Sequence, residues 1–118
     1  MSRTFVYIRT NNPNADNLRT QYELLEKYNV EKCFKDIYSG NLKPDERLGF
    51  SELMKNLESG DILIVKNLSR ISRSNLNLFK IFEKLKSMNV KVSSEIEGEA
   101  DKMIEILGAL ANIQNNFA

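Results

Sequence analysis

The sequence predicts an α/β protein in three layers, with a mainly parallel sheet of four or five strands flanked by helices. Two short apolar runs, Phe5–Ile8 and Ile62–Val65, have the length and composition of buried strands. Segments with apolar residues at helical spacing separate these runs and follow the second one. Such an alternation of strands and helices is typical of parallel sheets.

The first half of the chain predicts two strands around a helix. We expect strands over about Thr4–Ile8 and Cys33–Ile37, with a polar loop over Asn11–Asn14. Asp16 or Asn17 can cap the helix between them. Three apolar residues share one face of that helix, at i, i+4 and i+7: Leu18, Tyr22 and Leu25.

The second half predicts two more helices and two more strands. A turn-rich loop over Ser39–Pro44 precedes a helix that Ser59-Gly60-Asp61 ends, and the third strand follows over Ile62–Val65. A third helix and a fourth strand come next. The residues that mark these elements are Phe50, Leu53, Met54 and Leu57; Leu78, Ile81, Phe82, Leu85 and Met88; and Val90 and Val92.

The last segment carries apolar residues on more than one side of a helix. Ile104 and Ala111 lie off its main stripe, and we expect an intermolecular contact there because little chain remains to cover a second face. The alternative is that this helix packs only on its own sheet. The predicted dimerisation residues are Met103, Ile106, Leu107, Leu110 and Ile113.

Composition narrows the function classes. The 118 residues form one predicted domain, 1–118, with a net charge of +1, which argues against gripping nucleic acid over the whole surface. No histidine and a single cysteine, Cys33, make a zinc site unexpected, and nothing in the sequence calls for another cofactor. We find no membrane span and no signal peptide and expect a cytoplasmic protein.

Three arginines follow the two apolar runs. Arg9 comes directly after the first run, and Arg70 and Arg73 follow the second. Parallel strands would bring these arginines to one edge of the sheet, where open α/β folds bind ligands. Guanidinium groups bind phosphate in a bidentate manner and stay charged at working pH. The sequence therefore predicts a local phosphate site.

Together with Arg9, Ser39-Gly40, Arg47 and Gly60-Asp61, the segment Leu68–Arg73 resembles the catalytic domain of the serine recombinases, the resolvase/invertase family. The resemblance runs from about Phe5 to Phe117. It implies a resolvase-like fold in which a long helix, starting over about residues 99–118, mediates dimers. It also implies DNA and recombinase subunits as partners, and a serine that attacks a DNA phosphodiester without metal or cofactor.

The resemblance also implies roles for individual residues. Asp61 would orient an arginine rather than act as a base, and Ser39 would hydrogen-bond within its loop. The implied catalytic positions are Arg9, Asn11, Ser39, Arg47, Asp61, Ser69, Arg70 and Arg73. The implied DNA phosphate-binding residues are Arg9, Arg47, Lys66, Arg70 and Arg73.

Two of these positions depart from the family pattern. Asn11 occupies the nucleophile position, and an amide has no hydroxyl with which to attack phosphorus. Ser69 stands where the family usually has an aspartate. Thr10, Ser69 and Ser72 are the hydroxyls nearby, but Thr10 would point to the opposite side of an extended segment. We expect no helix-turn-helix domain in this chain and therefore no reading of base edges.

Three hypotheses follow. The first is a degenerate serine recombinase domain of the site-specific recombination machinery that binds a recombinase or DNA phosphate. The alternative is a catalytic-domain fragment of an active serine recombinase whose nucleophile is substituted. The third keeps only the fold and makes the chain a small interaction module.

Overall fold

The computed structural model describes residues 2–11, 16–37 and 47–99. Within these ranges it contains a five-stranded sheet, three α-helices and one 3₁₀ turn. The strands are β1 (Thr4–Thr10), β2 (Lys32–Ile37), β3 (Ile62–Val65), β4 (Lys91–Ser94) and β5 (Gly98–Glu99). The helices are α1 (Asp16–Lys27), α2 (Leu48–Asn56) and α3 (Asn75–Ser87), and the 3₁₀ turn spans Leu68–Arg70.

The sheet has the strand order β2-β1-β3-β4-β5. The first four strands are parallel, and β5 runs antiparallel to β4. In the centre, Val6 pairs with Cys33 of β2 on one side and with Ile64 of β3 on the other. The predicted α/β class with a mainly parallel sheet is confirmed.

Alternation along β1 divides the core between the two faces of the sheet. Phe5 and Tyr7 belong to the larger cluster, which includes residues of α2 and α3. Val6 and Ile8 belong to the smaller cluster, in which Leu24 of α1 packs on the sheet. Helices on both faces give the predicted three layers.

The structure differs from the prediction at several element ends. β1 continues beyond Ile8 to Thr10, because Arg9 and Thr10 still pair with Asp36 and Ile37 of β2. α2 ends at Asn56, before the predicted stop at Ser59-Gly60-Asp61. The sequence did not indicate the 3₁₀ turn. The loop over Ser39–Pro44 and the segment from Met103 to Ile113 lie outside the described residues.

None of the helices in the described ranges is long and apolar enough to cross a membrane.

Candidate functional site

The candidate site lies where the direction of strand addition reverses. β1 is followed in sequence by β2 on one side, and β3 then pairs with β1 on the other. The carboxyl ends of β1 and β3 therefore flank a topological switch point, the usual ligand crevice of open α/β sheets. Arg9 lies near the end of β1, and the 3₁₀ turn that contains Arg70 follows β3. The predicted gathering of these arginines is confirmed.

Backbone carbonyls of the 3₁₀ turn orient the Arg9 guanidinium. Arg9 Nε donates to the Arg70 carbonyl oxygen at 3.0 Å, and Arg9 Nη2 donates to the Ser69 carbonyl oxygen at 2.9 Å. In return, Arg70 Nη1 donates to the Arg9 carbonyl oxygen at 3.2 Å. These reciprocal bonds join the end of β1 to the turn after β3.

Arg47 is held in the same way from the start of α2. Its side chain is fully buried, and Nη1 donates to the Arg70 carbonyl oxygen at 3.0 Å and to Tyr7 Oη at 2.8 Å. Nη2 donates to the carbonyl oxygen of Ile71. Arg9 and Arg47 thus share the Arg70 carbonyl as acceptor, which places the two guanidinium groups side by side.

Asp36 of β2 connects this strand to the helix end that carries Arg47. Neither Asp36 nor Tyr7 was predicted from the sequence to belong to the site. The Asp36 carboxylate accepts the N–H groups of Gly49 at 2.7 Å and Phe50 at 2.8 Å, which are among the orphan donors of the α2 N-terminus. It also accepts the Tyr7 hydroxyl at 2.7 Å. Burial raises the pKa of Tyr7, and the bond to Asp36 adds to this against the opposing charge of Arg47, so the phenol stays protonated.

Close approach of α2 to β2 requires a glycine at position 49. A Cβ atom on Gly49 would lie 2.4 Å from the Lys35 carbonyl oxygen and 2.9 Å from Asp36 Oδ1. The absence of a side chain at Gly49 therefore lets Asp36 reach the helix end that carries Arg47. The sequence signal available for this contact was Asp36 within a predicted strand, followed by Gly49 at the start of the next predicted helix.

Gln21 of α1 fixes the end of β1 from the other face of the sheet. This buried amide accepts the Arg9 N–H at 3.1 Å through Oε1 and donates to the Arg9 carbonyl oxygen at 3.1 Å through Nε2. Asn11 follows directly after β1 and is exposed. The predicted nucleophile position thus lies beside the arginine site, at the end of a rigidly held strand.

The arginines raise the local positive potential. Burial lowers the pKa of Arg9 to about 10, and the charges of Arg47, Arg70 and Arg73 contribute to this lowering. Burial and the charge of Arg73 also lower the pKa of Arg70. Among the described residues, the ion pairs involve Arg3, Lys27 and Lys55, and none involves Arg47, Arg70 or Arg73. A bound anion would relieve the repulsion within this group.

The four arginines differ in how far they reach solvent. Arg9 and Arg47 are buried, Arg70 is half-buried and Arg73 is exposed. The inner pair forms the base of the site, and Arg70 and Arg73 form its accessible side. We refer to these four residues as the arginine cluster.

Two other predicted site residues, Asp61 and Lys66, interact with residues outside the arginine cluster. Asp61 precedes β3, so it lies at the amino edge of the sheet, where its carboxylate pairs with Arg3 Nη2 at 2.9 Å. Asp61 thus orients an arginine, but that arginine is Arg3 and not a member of the arginine cluster. Lys66 follows β3 and contributes to the lowered pKa of Glu95, which results chiefly from a hydrogen bond from Lys27. Ser39 lies outside the described residues.

The three described hydroxyl groups that the sequence suggested as substitutes each have a hydrogen-bond partner. The Thr10 side chain is buried, and its Oγ1 donates to Asn17 Oδ1 at 3.1 Å. Ser69 Oγ donates to Asn67 Oδ1 at 2.7 Å. Ser72 is buried, and its Oγ accepts the Ser74 N–H at 3.0 Å.

Comparison with known families identifies the fold and its family. Residues 4–118 match the family described as Resolvase, N terminal domain. The chain belongs to the resolvase family. The match takes in all four members of the arginine cluster and covers nearly the whole chain.

Relatives of this resolvase-family chain come from transposons, phages and bacterial genomes. It is 32% identical to the transposon Tn2501 resolvase of Escherichia coli, and the alignment covers 99% of this chain and 66% of the relative. It is 28% identical to the serine recombinase PinR of Escherichia coli K12, covering 99% of this chain and 65% of PinR. The chain therefore spans slightly less than two thirds of the length of these relatives.

Solved structures show the same fold at lower identity. The N-terminal catalytic domain of TP901-1 integrase superposes with a TM-score of 0.82 at 18% identity, covering 98% of both chains. A resolvase family site-specific recombinase from Streptococcus pneumoniae superposes with a TM-score of 0.75 at 18% identity, covering 98% of this chain and 89% of the other. The predicted resolvase-like fold is confirmed.

Proposed function

We propose that this chain is a serine-recombinase-like domain of the site-specific recombination machinery that binds DNA phosphate and does not cut DNA. The arginine cluster at the β1/β3 switch point carries the proposal. In it, neutral carbonyl groups hold like charges together. Such an arrangement fits a phosphodiester, whose non-bridging oxygens bring negative charge to the accessible side of the cluster.

The absence of cleavage is proposed from Asn11. In the family pattern a serine at this position attacks phosphorus, and the Asn11 amide offers no such nucleophile. Thr10, Ser69 and Ser72 are poor substitutes because their hydroxyls are engaged in the hydrogen bonds described above. The Asn11 amide can still donate a hydrogen bond to a phosphate oxygen, so binding is retained without chemistry.

The proposed protein partner is a second recombinase subunit, either this chain or an active relative. The residues proposed for that contact, from Met103 to Ile113, lie outside the described ranges. Their sequence spacing and the family membership support this part of the proposal.

Charge reversal of the accessible arginines tests phosphate binding. The double variant Arg70→Glu/Arg73→Glu is expected to lose affinity for a short fluorescent DNA duplex, measured by anisotropy over a range of salt concentrations. Removing about two phosphate contacts should also reduce the slope of log affinity against log salt by about two. The matched control is Lys80→Glu/Lys84→Glu, which makes the same charge change on the exposed side of α3.

Equal loss in both double variants would mean that the chain binds DNA only through its overall charge. Unchanged affinity after reversal at Arg70 and Arg73 would favour the small interaction module instead.

Restoring the hydroxyl tests the absence of chemistry. We expect Asn11→Ser to remain unable to cleave, because the family aspartate is also missing at Ser69. The measurement is a denaturing-gel assay for covalent protein–DNA adducts, with a supercoiled plasmid that carries the DNA bordering the source gene. A covalent adduct formed by the Asn11→Ser variant, and not by the unmodified chain, would instead support the alternative, a catalytic domain of an active recombinase with a substituted nucleophile.

A further inference from the structure

A carboxylate outside the arginine cluster holds the turn that orients it. Glu97 lies between β4 and β5, and its Oε1 and Oε2 lie 3.1 and 3.5 Å from the backbone nitrogen of Leu68. Leu68 is the first residue of the 3₁₀ turn. The first N–H groups of a helical turn lack partners within the turn, so an acceptor from elsewhere is needed.

Ser94 fixes the Glu97 side chain in place. Ser94 Oγ donates to Glu97 Oε1 and accepts the Glu97 N–H at 3.1 Å, so the serine contacts both ends of the glutamate. The same segment is attached to the end of β3 through two backbone bonds. Glu95 N donates to the Val65 carbonyl oxygen at 2.9 Å, and Ile96 N donates to the Lys66 carbonyl oxygen at 3.1 Å.

The 3₁₀ turn transmits this attachment to the arginines. Its Ser69 and Arg70 carbonyl oxygens accept the bonds from Arg9, and the Arg70 carbonyl also accepts a bond from Arg47. A change in the tilt of the turn would move these carbonyls and with them both guanidinium groups. The position of the inner arginines therefore depends on an acceptor that lies outside the arginine cluster.

We propose that Glu97 is a positioning residue for phosphate binding, acting through the Leu68 N–H and the 3₁₀ turn. The proposal rests on the proposed function of the arginine cluster. A positioning role and a purely electrostatic role of Glu97 predict opposite changes in anion affinity when the carboxylate is removed. Removing a carboxylate near a cationic site should strengthen anion binding by charge alone, whereas loss of a positioning contact should weaken it.

The test compares Glu97→Ala with Glu97→Gln and with the charge-matched control Glu99→Ala. Glu99 is an exposed residue of β5, so its removal changes the net charge equally without touching Leu68. Binding of inorganic sulfate is measured by NMR titration, together with the Leu68 amide and the Arg9 and Arg47 Nε–H resonances.

We expect Glu97→Ala to shift the Leu68 and arginine resonances and to weaken sulfate binding about fivefold relative to Glu99→Ala, the net scale of one ordinary hydrogen bond. Glu97→Gln keeps an acceptor oxygen at the same reach, so it should recover part of both effects. Ser94→Ala leaves the charge unchanged and should give smaller shifts in the same direction.

Unmoved arginine resonances in Glu97→Ala, or sulfate binding as tight as in Glu99→Ala, would overturn the proposal. If Glu97→Ala does not fold, the Glu97→Gln and Ser94→Ala variants test the proposal by the same two measurements, the arginine resonances and the sulfate affinity. If the unmodified chain binds neither sulfate nor DNA, the proposed function fails. In that case the arginine resonances still decide whether Glu97 positions the turn.

Discussion

Arginine has opposite roles at the amino ends and at the carboxyl ends of the parallel strands, which we call the amino edge and the carboxyl edge. At the amino edge, Arg3 Nη2 lies 2.9 Å from Asp61 Oδ2 and 3.5 Å from Glu58 Oε2. At the carboxyl edge, Arg9 and Arg47 donate to backbone carbonyl oxygens of the 3₁₀ turn and the residue that follows it. The side chains are chemically identical, but carboxylates orient the first, whereas neutral carbonyl groups orient the other two.

The difference is the reason why anion binding is proposed at the carboxyl edge and not at the amino edge. The hydrogen bond to Asp61 is the largest contribution to the raised pKa of Arg3, and its positive charge is already compensated. At the carboxyl edge, Arg9 donates to neutral carbonyl groups, and burial and the charges of Arg47, Arg70 and Arg73 lower its pKa. Acceptors of no net charge thus fix geometry and leave the positive potential for a ligand.

Asp36→Ala should produce the largest effect, because it breaks the carboxyl edge. It leaves the Gly49 and Phe50 N–H groups and the Tyr7 hydroxyl without their acceptor. We expect about 3 kcal/mol of lost unfolding free energy in urea denaturation and weaker sulfate binding, because Arg47 immediately precedes α2.

The control for Asp36→Ala is Glu83→Ala, an exposed carboxylate of α3 that should change stability by less than about 0.5 kcal/mol. Unaltered sulfate affinity in the Asp36 variant would show that Arg47 keeps its place without the capped helix end.

Gly49→Ala perturbs the same edge by steric means alone. The added methyl group would meet the Lys35 carbonyl oxygen at 2.4 Å, so the start of α2 must move away from β2. We expect a loss of about 2 kcal/mol in unfolding free energy, the usual scale of an overpacked contact, and a smaller loss of sulfate affinity than for Asp36→Ala.

Ser51→Ala, further along α2, should leave both stability and affinity nearly unchanged and is the control. A Gly49→Ala protein as stable as the original would mean that α2 can shift at little cost, so that close approach to β2 is not required.

The carboxyl edge was partly readable from the sequence. Arg9 and Arg70 could be predicted to meet because each follows an apolar run of strand length, and parallel strands end at one edge. Arg47 was indicated only by the family resemblance. Asp36 was missed because a charged residue in a strand is usually solvent-facing, although alternation places Asp36 on the same buried face as Phe34.

What the sequence left open depends on contacts between residues distant in sequence. The Gly60-Asp61 motif lies only a few residues before the cluster segment, but the length of β3 separates it from the arginines. Glu97 reaches Leu68 across 29 residues, and no local pattern marks this pair. Strand ends can be predicted from hydrophobic runs, whereas side-chain partners depend on how loops and turns pack.

Asp61→Asn should have the smallest effect and tests whether the two edges are independent. Burial alone would raise the pKa of Asp61, but the hydrogen bonds from Arg3 and the Glu58 N–H lower it below the ordinary value of 3.8. Its stabilisation is therefore present above that ordinary value and is lost as the pH falls through the lowered pKa. We expect the variant to be less stable by about 1 kcal/mol at neutral pH, with the difference vanishing in strong acid.

Urea denaturation at several pH values measures this difference, and a sulfate titration of the same variant provides the comparison with Asp36→Ala. Unchanged sulfate affinity is expected, because Asp61 and Arg3 lie at the edge remote from the arginine cluster. A fall in affinity would contradict the division into two edges, since β3 would then have to transmit a change from its amino end to its carboxyl end. The direction in which the stability difference between the original protein and Asp61→Asn changes with pH is a further test. A stability difference that grew as the pH fell would mean that Asp61 is destabilised in its charged form, and the amino edge would no longer be an example of a compensated arginine.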